Sequence, residues 1–132
     1  MNEAQPRPAF APGSHSITAY GQGEFAFAGM HHAGSILATP KGVRPIEATS
    51  VDDLAPAALA PLWTEYAENR GAIEFFIIGT GERMTPIPKG LRATLNQAGL
   101  RFEAMATGPA LRVYNVMQSE GRRVAAALIA AP

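Results

Sequence analysis

From Ile73 to Ala130 the chain reads apolar run, glycine turn, amphipathic stretch, apolar run, amphipathic stretch, apolar run. Short apolar runs alternating with helix-length segments are the pattern of a β-α-β-α-β unit with parallel strands, and no other feature constrains the fold as much. The first run, Ile73-Glu74-Phe75-Phe76-Ile77-Ile78, lacks two-residue alternation, as expected of a strand covered on both faces. It stops at Gly79-Thr80-Gly81. The spacing then predicts a helix over Pro88–Ala98, with proline in its first turn and Gly99 just past its end. Leu91, Leu95 and Ala98 share its inner face; Lys89, Arg92 and Asn96 share the outer one. Leu100–Met105 is the next predicted strand. Thr107 is placed to cap a helix over Gly108–Ser119, and Arg123–Ala130 is the last strand, after Gly121.

The first third has a different texture. Residues 1–13 carry Pro6, Pro8, Pro12 and Gly13 and are expected to form a flexible tail, leaving 14–132 as a single α/β domain. Ser16–Tyr20 and Glu24–Ala28 are predicted strands joined by a hairpin turn at Gly21-Gln22-Gly23. Gly34–Thr39 is a third, and Val43–Ala48 pairs back after Pro40-Lys41-Gly42, which makes an antiparallel meander. Ser50, Asp52 and Asp53 are a helix-start signal. The helix itself is predicted over Ala58–Asn69, where Leu59, Leu62, Trp63 and Tyr66 form one apolar stripe and Pro61 lies in the first turn. The fold class that follows is a three-layer α/β domain: a mixed central sheet flanked by helices, plus a small antiparallel sheet from the N-terminal third.

Length and charge narrow the function. A chain of 132 residues buries roughly 65–70% of its extended surface, enough for one core. Lys+Arg and Asp+Glu balance at 11 each, so no strong field draws nucleic acid or anionic lipid. Nine of the cations are arginine and two, Lys41 and Lys89, are lysine; arginine suits planar, bidentate partners. There is no cysteine, hence no disulfide, thiol nucleophile or thiolate metal site. No run approaches the roughly 20 apolar residues of a membrane helix. The N-terminus lacks signal-peptide character and, with Glu3 and a single arginine, Arg7, does not resemble a transit peptide. The expectation is a cytoplasmic protein, monomer or dimer, with no cofactor and no metal.

Ligands in open α/β sheets sit at the carboxyl ends of parallel strands, here Gly79-Thr80-Gly81 and Ala106-Thr107-Gly108. Both precede helix N-termini, and Arg83, Lys89 and Arg112 could reach that edge, so one reading is a small-anion or small-molecule site there, in a binding protein or an enzyme that uses the crevice. Tight strand-to-helix turns are the other. The dinucleotide fingerprint fails because Met84 stands where its third glycine belongs, and Lys89-Gly90-Leu91 is not the G-K-[ST] of a phosphate-binding loop. Ser35, within Ala33-Gly34-Ser35-Ile36-Leu37, is not in a nucleophile elbow. His31 and His32 are adjacent and point to opposite faces of a strand; either could act as a base beside an acid such as Glu24, or be a plain surface residue. Glu74 and Glu103 could form an acid/base pair, or each could pair with an arginine such as Arg101. No catalytic set emerges. On the last helix Arg112, Asn115 and Ser119 form a narrow polar stripe that faces either a partner or solvent. The candidate binding residues are therefore Gly79, Thr80, Gly81, Arg83, Thr107, Gly108, Arg112 and Asn115.

Several blocks together carry a family likeness: Ile77-Ile78-Gly79-Thr80-Gly81, Pro86 with Leu91 to Gly99, Glu103-Ala104-Met105-Ala106-Thr107-Gly108, Arg112-Val113-Tyr114-Asn115-Val116, and Glu120-Gly121-Arg122-Arg123-Val124-Ala125-Ala126-Ala127-Leu128-Ile129. Over about residues 16–130 the chain resembles the family of mitochondrial complex I assembly factor 3, an NADH dehydrogenase alpha-subcomplex assembly factor, and its bacterial and archaeal relatives. It departs from the family pattern at Ala106 and Pro109. The resemblance implies the three-layer fold already read from the residues. It also implies a protein-binding helper in building the respiratory NADH dehydrogenase, with protein partners and no catalytic residues to carry over.

Overall fold

The computed structural model describes residues 10–20 and 22–131. Three strands at its centre run in one direction. They are β7 (Phe75–Gly79), β8 (Phe102–Met105) and β9 (Val124–Leu128), linked by α2 (Lys89–Ala98) and α3 (Thr107–Ser119). β7 lies between the other two and is parallel to both, with Ile77 opposite Glu103 on one side and Ala126 on the other. The β-α-β-α-β expectation holds. The strand ends are trimmed relative to the apolar runs.

The N-terminal third contributes six strands of two to four residues. β5 (Ile36–Thr39) pairs antiparallel with β9, β6 (Gly42–Pro45) pairs with β5, and β1 (Ala11–Pro12) closes the edge, giving a six-stranded mixed sheet in the order β1-β6-β5-β9-β7-β8. β2 (Thr18–Tyr20), β3 (Glu24–Phe27) and β4 (Met30–Ala33) form a separate three-stranded antiparallel sheet. The single meander of the sequence reading is thus two structures. Its missing element is β4: Ala28 and Gly29 both adopt positive φ (52° and 77°), a tight turn that sends the chain straight back along β3. The tail expectation for residues 1–9 lies outside the described residues, as does Gly21 of the first hairpin turn. At Ala11–Pro12 the chain is not a loose tail but an edge strand, where proline costs no ladder hydrogen bond.

Side chains alternate cleanly between the two faces of the main sheet. Leu37, Phe76, Ile78, Ala125 and Ala127 point into one core with Leu59, Leu62, Leu91 and Leu95. These leucines come from α1 (Ala60–Glu68), the turn before it, and α2. Ile36, Ala38, Ile77, Val124, Ala126 and Leu128 point into the other, against Ala110, Leu111 and Tyr114 of α3, Phe25 and Phe27 of the small sheet, and Ile17 just before it. Three layers result. α1 starts at Ala60 rather than Ala58, after a one-turn 3-10 segment over Pro56–Leu59. The start signal at Ser50 opens a separate 3-10 turn, Val51–Asp53, because Pro56 and Pro61 keep the intervening chain out of a continuous helix. Asp53 accepts from Thr49 N (2.9 Å), Thr49 Oγ1 (3.0 Å) and Ser50 N (3.3 Å), and these bonds hold its carboxyl below the usual carboxylate range.

Candidate functional site

The carboxyl edge of the parallel strands brings Gly79, Thr80, Gly81 and Thr107 together. Thr107 is the first residue of α3, not its cap, and its hydroxyl is turned into the sheet. Thr107 Oγ1 donates to Ile129 O (2.7 Å) and accepts from Gly81 N (2.9 Å), while Thr107 N donates to Gly81 O (2.8 Å). Thr80 N donates to Met105 O (2.8 Å); its hydroxyl donates to Arg83 O (2.6 Å) and accepts from Thr85 N (3.0 Å). A Cβ on Gly79 would lie 2.9 Å from Thr107 Oγ1 and 3.0 Å from Thr107 Cα, so only glycine lets the helix start this close to the strand. The donors that an anion would use at Thr80, Gly81 and Thr107 therefore already serve protein acceptors. The side chain of Arg83 is exposed, and so is Gly108, the second residue of α3.

Arg112 and Asn115 lie further along α3 and do different things. Asn115 faces the residue just before β2: Oδ1 accepts from Ile17 N (2.8 Å) and Nδ2 donates to Ile17 O (2.6 Å), the two bonds a strand neighbour would make. Tyr114 Oη donates to His15 O (2.9 Å), and burial pushes this phenol up to about 12. Asn115 and Tyr114 thus fasten the start of the small sheet to α3. Arg112 is exposed beside Val113 and Val116, which are 37% and 56% exposed. The expected polar stripe is therefore broken: its middle residue is half-buried structure, and its solvent side carries two valines.

The other candidate chemistry is dispersed. His31 lies 3.9 Å from Glu24 across the small sheet, while His32, on the other face, is half-buried and its pKa is lowered by that burial. His32 and Ser35 share a hollow of about 600 Å³ with Pro45, Ile46 and Glu47, but the buried Ser35 Oγ accepts from Ala130 N (2.9 Å). Glu74 and Glu103 are not a pair. Glu74 accepts from Arg123 N (2.9 Å) and lies 3.6 Å from Arg122 Nη2, so its partners are these arginines rather than Arg101. The bond from Arg123 N and the nearby guanidinium charges hold its carboxyl low. Among the described residues no cluster of three or more His, Asp or Glu could hold a metal ion, and no helix is long and apolar enough to cross a membrane.

One polar group escaped the sequence reading. Glu65 of α1 is only 5% exposed and receives a hydrogen bond from Thr39 Oγ1 of β5. The signal was present: Glu65 stands three residues after Leu62, inside the apolar stripe of its helix.

A family model described as a protein of unknown function, DUF498/DUF598, matches residues 17–129. The chain belongs to the DUF498/DUF598 family. An uncharacterised protein of Rhodobacter capsulatus is 40% identical over 125 residues, covering 95% of this chain and 91% of that one. The same fold occurs in a crystal structure described as an outer membrane protein from Bartonella henselae, at 36% identity and TM-score 0.80, over 92% of this chain and 99% of that one. It occurs also in a Bordetella pertussis protein described as a Mth938-like domain, at 26% identity and TM-score 0.72, over 96% and 91% of the two chains. These likenesses supply kinship and architecture.

Proposed function

We propose that this DUF498/DUF598 member is a non-enzymatic protein-binding helper that acts from the cytoplasm in assembly of the respiratory NADH dehydrogenase. The observation that carries the reading is the outer face of α3. Pro109, Val113 and Val116 stand at i, i+4 and i+7 and are all exposed, with Arg112 beside them, while Ala110, Leu111 and Tyr114 on the opposite side are buried. An apolar stripe rimmed by a charged residue is the character of a protein contact. The inward-turned strand ends favour binding over catalysis, since their hydroxyls and amides serve the fold. The family resemblance supplies the class of partner.

Cross-linking in native membranes followed by mass spectrometry tests this. Recovery of NADH dehydrogenase subunits or their insertion factors by the wild type, and their loss with Val116→Asp, is the expected result. Recovery of none by the wild type overturns the assembly role. Arg112→Ala should weaken partner affinity with the melting temperature unchanged; a parallel fall in stability would make Arg112 structural instead.

A further inference from the structure

Two buried side-chain polar atoms among the described residues have no hydrogen-bond partner, and both belong to residues that line one hollow. They are Glu65 Oε1, an acceptor, and Arg44 Nε, a donor. Glu65 uses its other oxygen on Thr39 Oγ1, and the Arg44 guanidinium carbon sits 4.4 Å from the centre of the Phe10 ring. The hollow is about 380 Å³, lies between α1 and the β5–β6 hairpin, and is also lined by Lys41, Pro61, Thr64 and Glu68. No ion pair joins Arg44 to Glu65 among the described residues. A buried carboxylate oxygen and a buried guanidinium N–H left without partners are costly, and each is complementary to what the other lacks.

We propose that this hollow is a binding site for a carboxamide. The carbonyl oxygen of the ligand accepts from Arg44 Nε and its amide N–H donates to Glu65 Oε1. Lys41 and Arg44 balance Glu65 and Glu68, so the lining selects a group without net charge: a carboxylate would face Glu65, an ammonium would face Arg44. A carboxamide carries an acceptor and a donor on neighbouring atoms, which suits two separate protein groups. Both orphan atoms are shut off from solvent, so entry needs a side chain to swing away. Lys41 and Glu68 can do this, since they are 64% and 59% exposed and held to each other by one ion pair at 3.1 Å, which contributes little at such exposure. The group comes either from a free carboxamide or from an asparagine or glutamine side chain of a peptide.

The Arg44 Nε–H signal in a ¹⁵N-correlated NMR spectrum of the full chain, identified by its loss in Arg44→Lys, reads the site directly. Titration with acetamide and with the peptide Gly-Gln-Gly should move it saturably, and acetate or methylammonium should bind roughly tenfold more weakly, the factor set by one mismatched hydrogen bond. Glu65→Met, which removes the acceptor, should weaken acetamide by a similar factor. Tighter binding of the peptide than of acetamide assigns the source to a polypeptide; equal binding assigns it to a free molecule. A saturable shift from neither carboxamide overturns the proposal. So does an equal response to acetate, or an Arg44 Nε–H that contacts an ordered water only.

Discussion

Thr107 and Glu65 are both buried polar side chains, on opposite faces of the same sheet. Thr107 begins α3 and spends its donor on Ile129 O and an acceptor site on Gly81 N. Glu65 lies within α1 and has one oxygen engaged by Thr39 and one engaged by nothing. The first is a rivet: it joins the ends of β7, β9 and α3. The second is a group the fold tolerates rather than uses. Burial of a polar atom therefore says little until its partners are named. At the edge that fold analogy marks as a ligand site the amides and hydroxyls of Thr80 and Thr107 and the amide of Gly81 are engaged within the fold, while the unpartnered pair sits beside the antiparallel strands where no such rule points.

Substitutions can break this contrast. Thr107→Val keeps the shape and removes the hydroxyl, stranding Gly81 N–H and Ile129 C=O; it should lower unfolding free energy by about 2–4 kcal/mol in urea denaturation. A loss under about 0.5 kcal/mol would mean the rivet is ornamental. Gly79→Ala drives a methyl group against the Thr107 backbone and Leu128, and should cost about 1–3 kcal/mol with a matching fall in melting temperature. Tyr114→Phe should cost about 1 kcal/mol at neutral pH, through the lost bond to His15 O. Because burial raises the folded-state value of this phenol to about 12, the folded state holds its proton longer than the unfolded chain. Stability is thus fully present below pH 10 and falls as pH rises from there toward 12, and the Phe variant should lack that component of the decline. Glu65→Met should be the mildest: within about 1 kcal/mol of wild type in either direction, since it replaces a half-satisfied carboxylate with an apolar side chain of similar length. A large loss there would put Glu65 in the same class as Thr107.

The legibility of the chain follows the same division. β7, β8 and β9 were readable because apolar runs between helix-length segments have one common solution. α2 was readable because Leu91 and Leu95 mark its inner face between Pro88 and Gly99. β4 was not readable: Met30-His31-His32-Ala33 has no apolar alternation, and its strand character depends on the Ala28-Gly29 turn and on pairing with β3. Nor could the sequence separate β5 and β6 from the small sheet, since strand propensity does not say which neighbour a strand will take. Of the candidate site, the position of Gly79, Thr80, Gly81 and Thr107 at one edge was legible from topology. That Asn115 would grip Ile17, 98 residues away, was not.

Local chemistry along the chain was enough to determine the three-layer α/β class, the parallel unit and the exposed or buried faces of α2, because periodicity and turn residues act within a few positions. The tertiary structure alone decided which polar groups are satisfied. Hydrogen bonds such as Thr107 to Ile129, Asn115 to Ile17 and Thr39 to Glu65 join residues 22, 98 and 26 positions apart, and only the closed fold brings their atoms within reach.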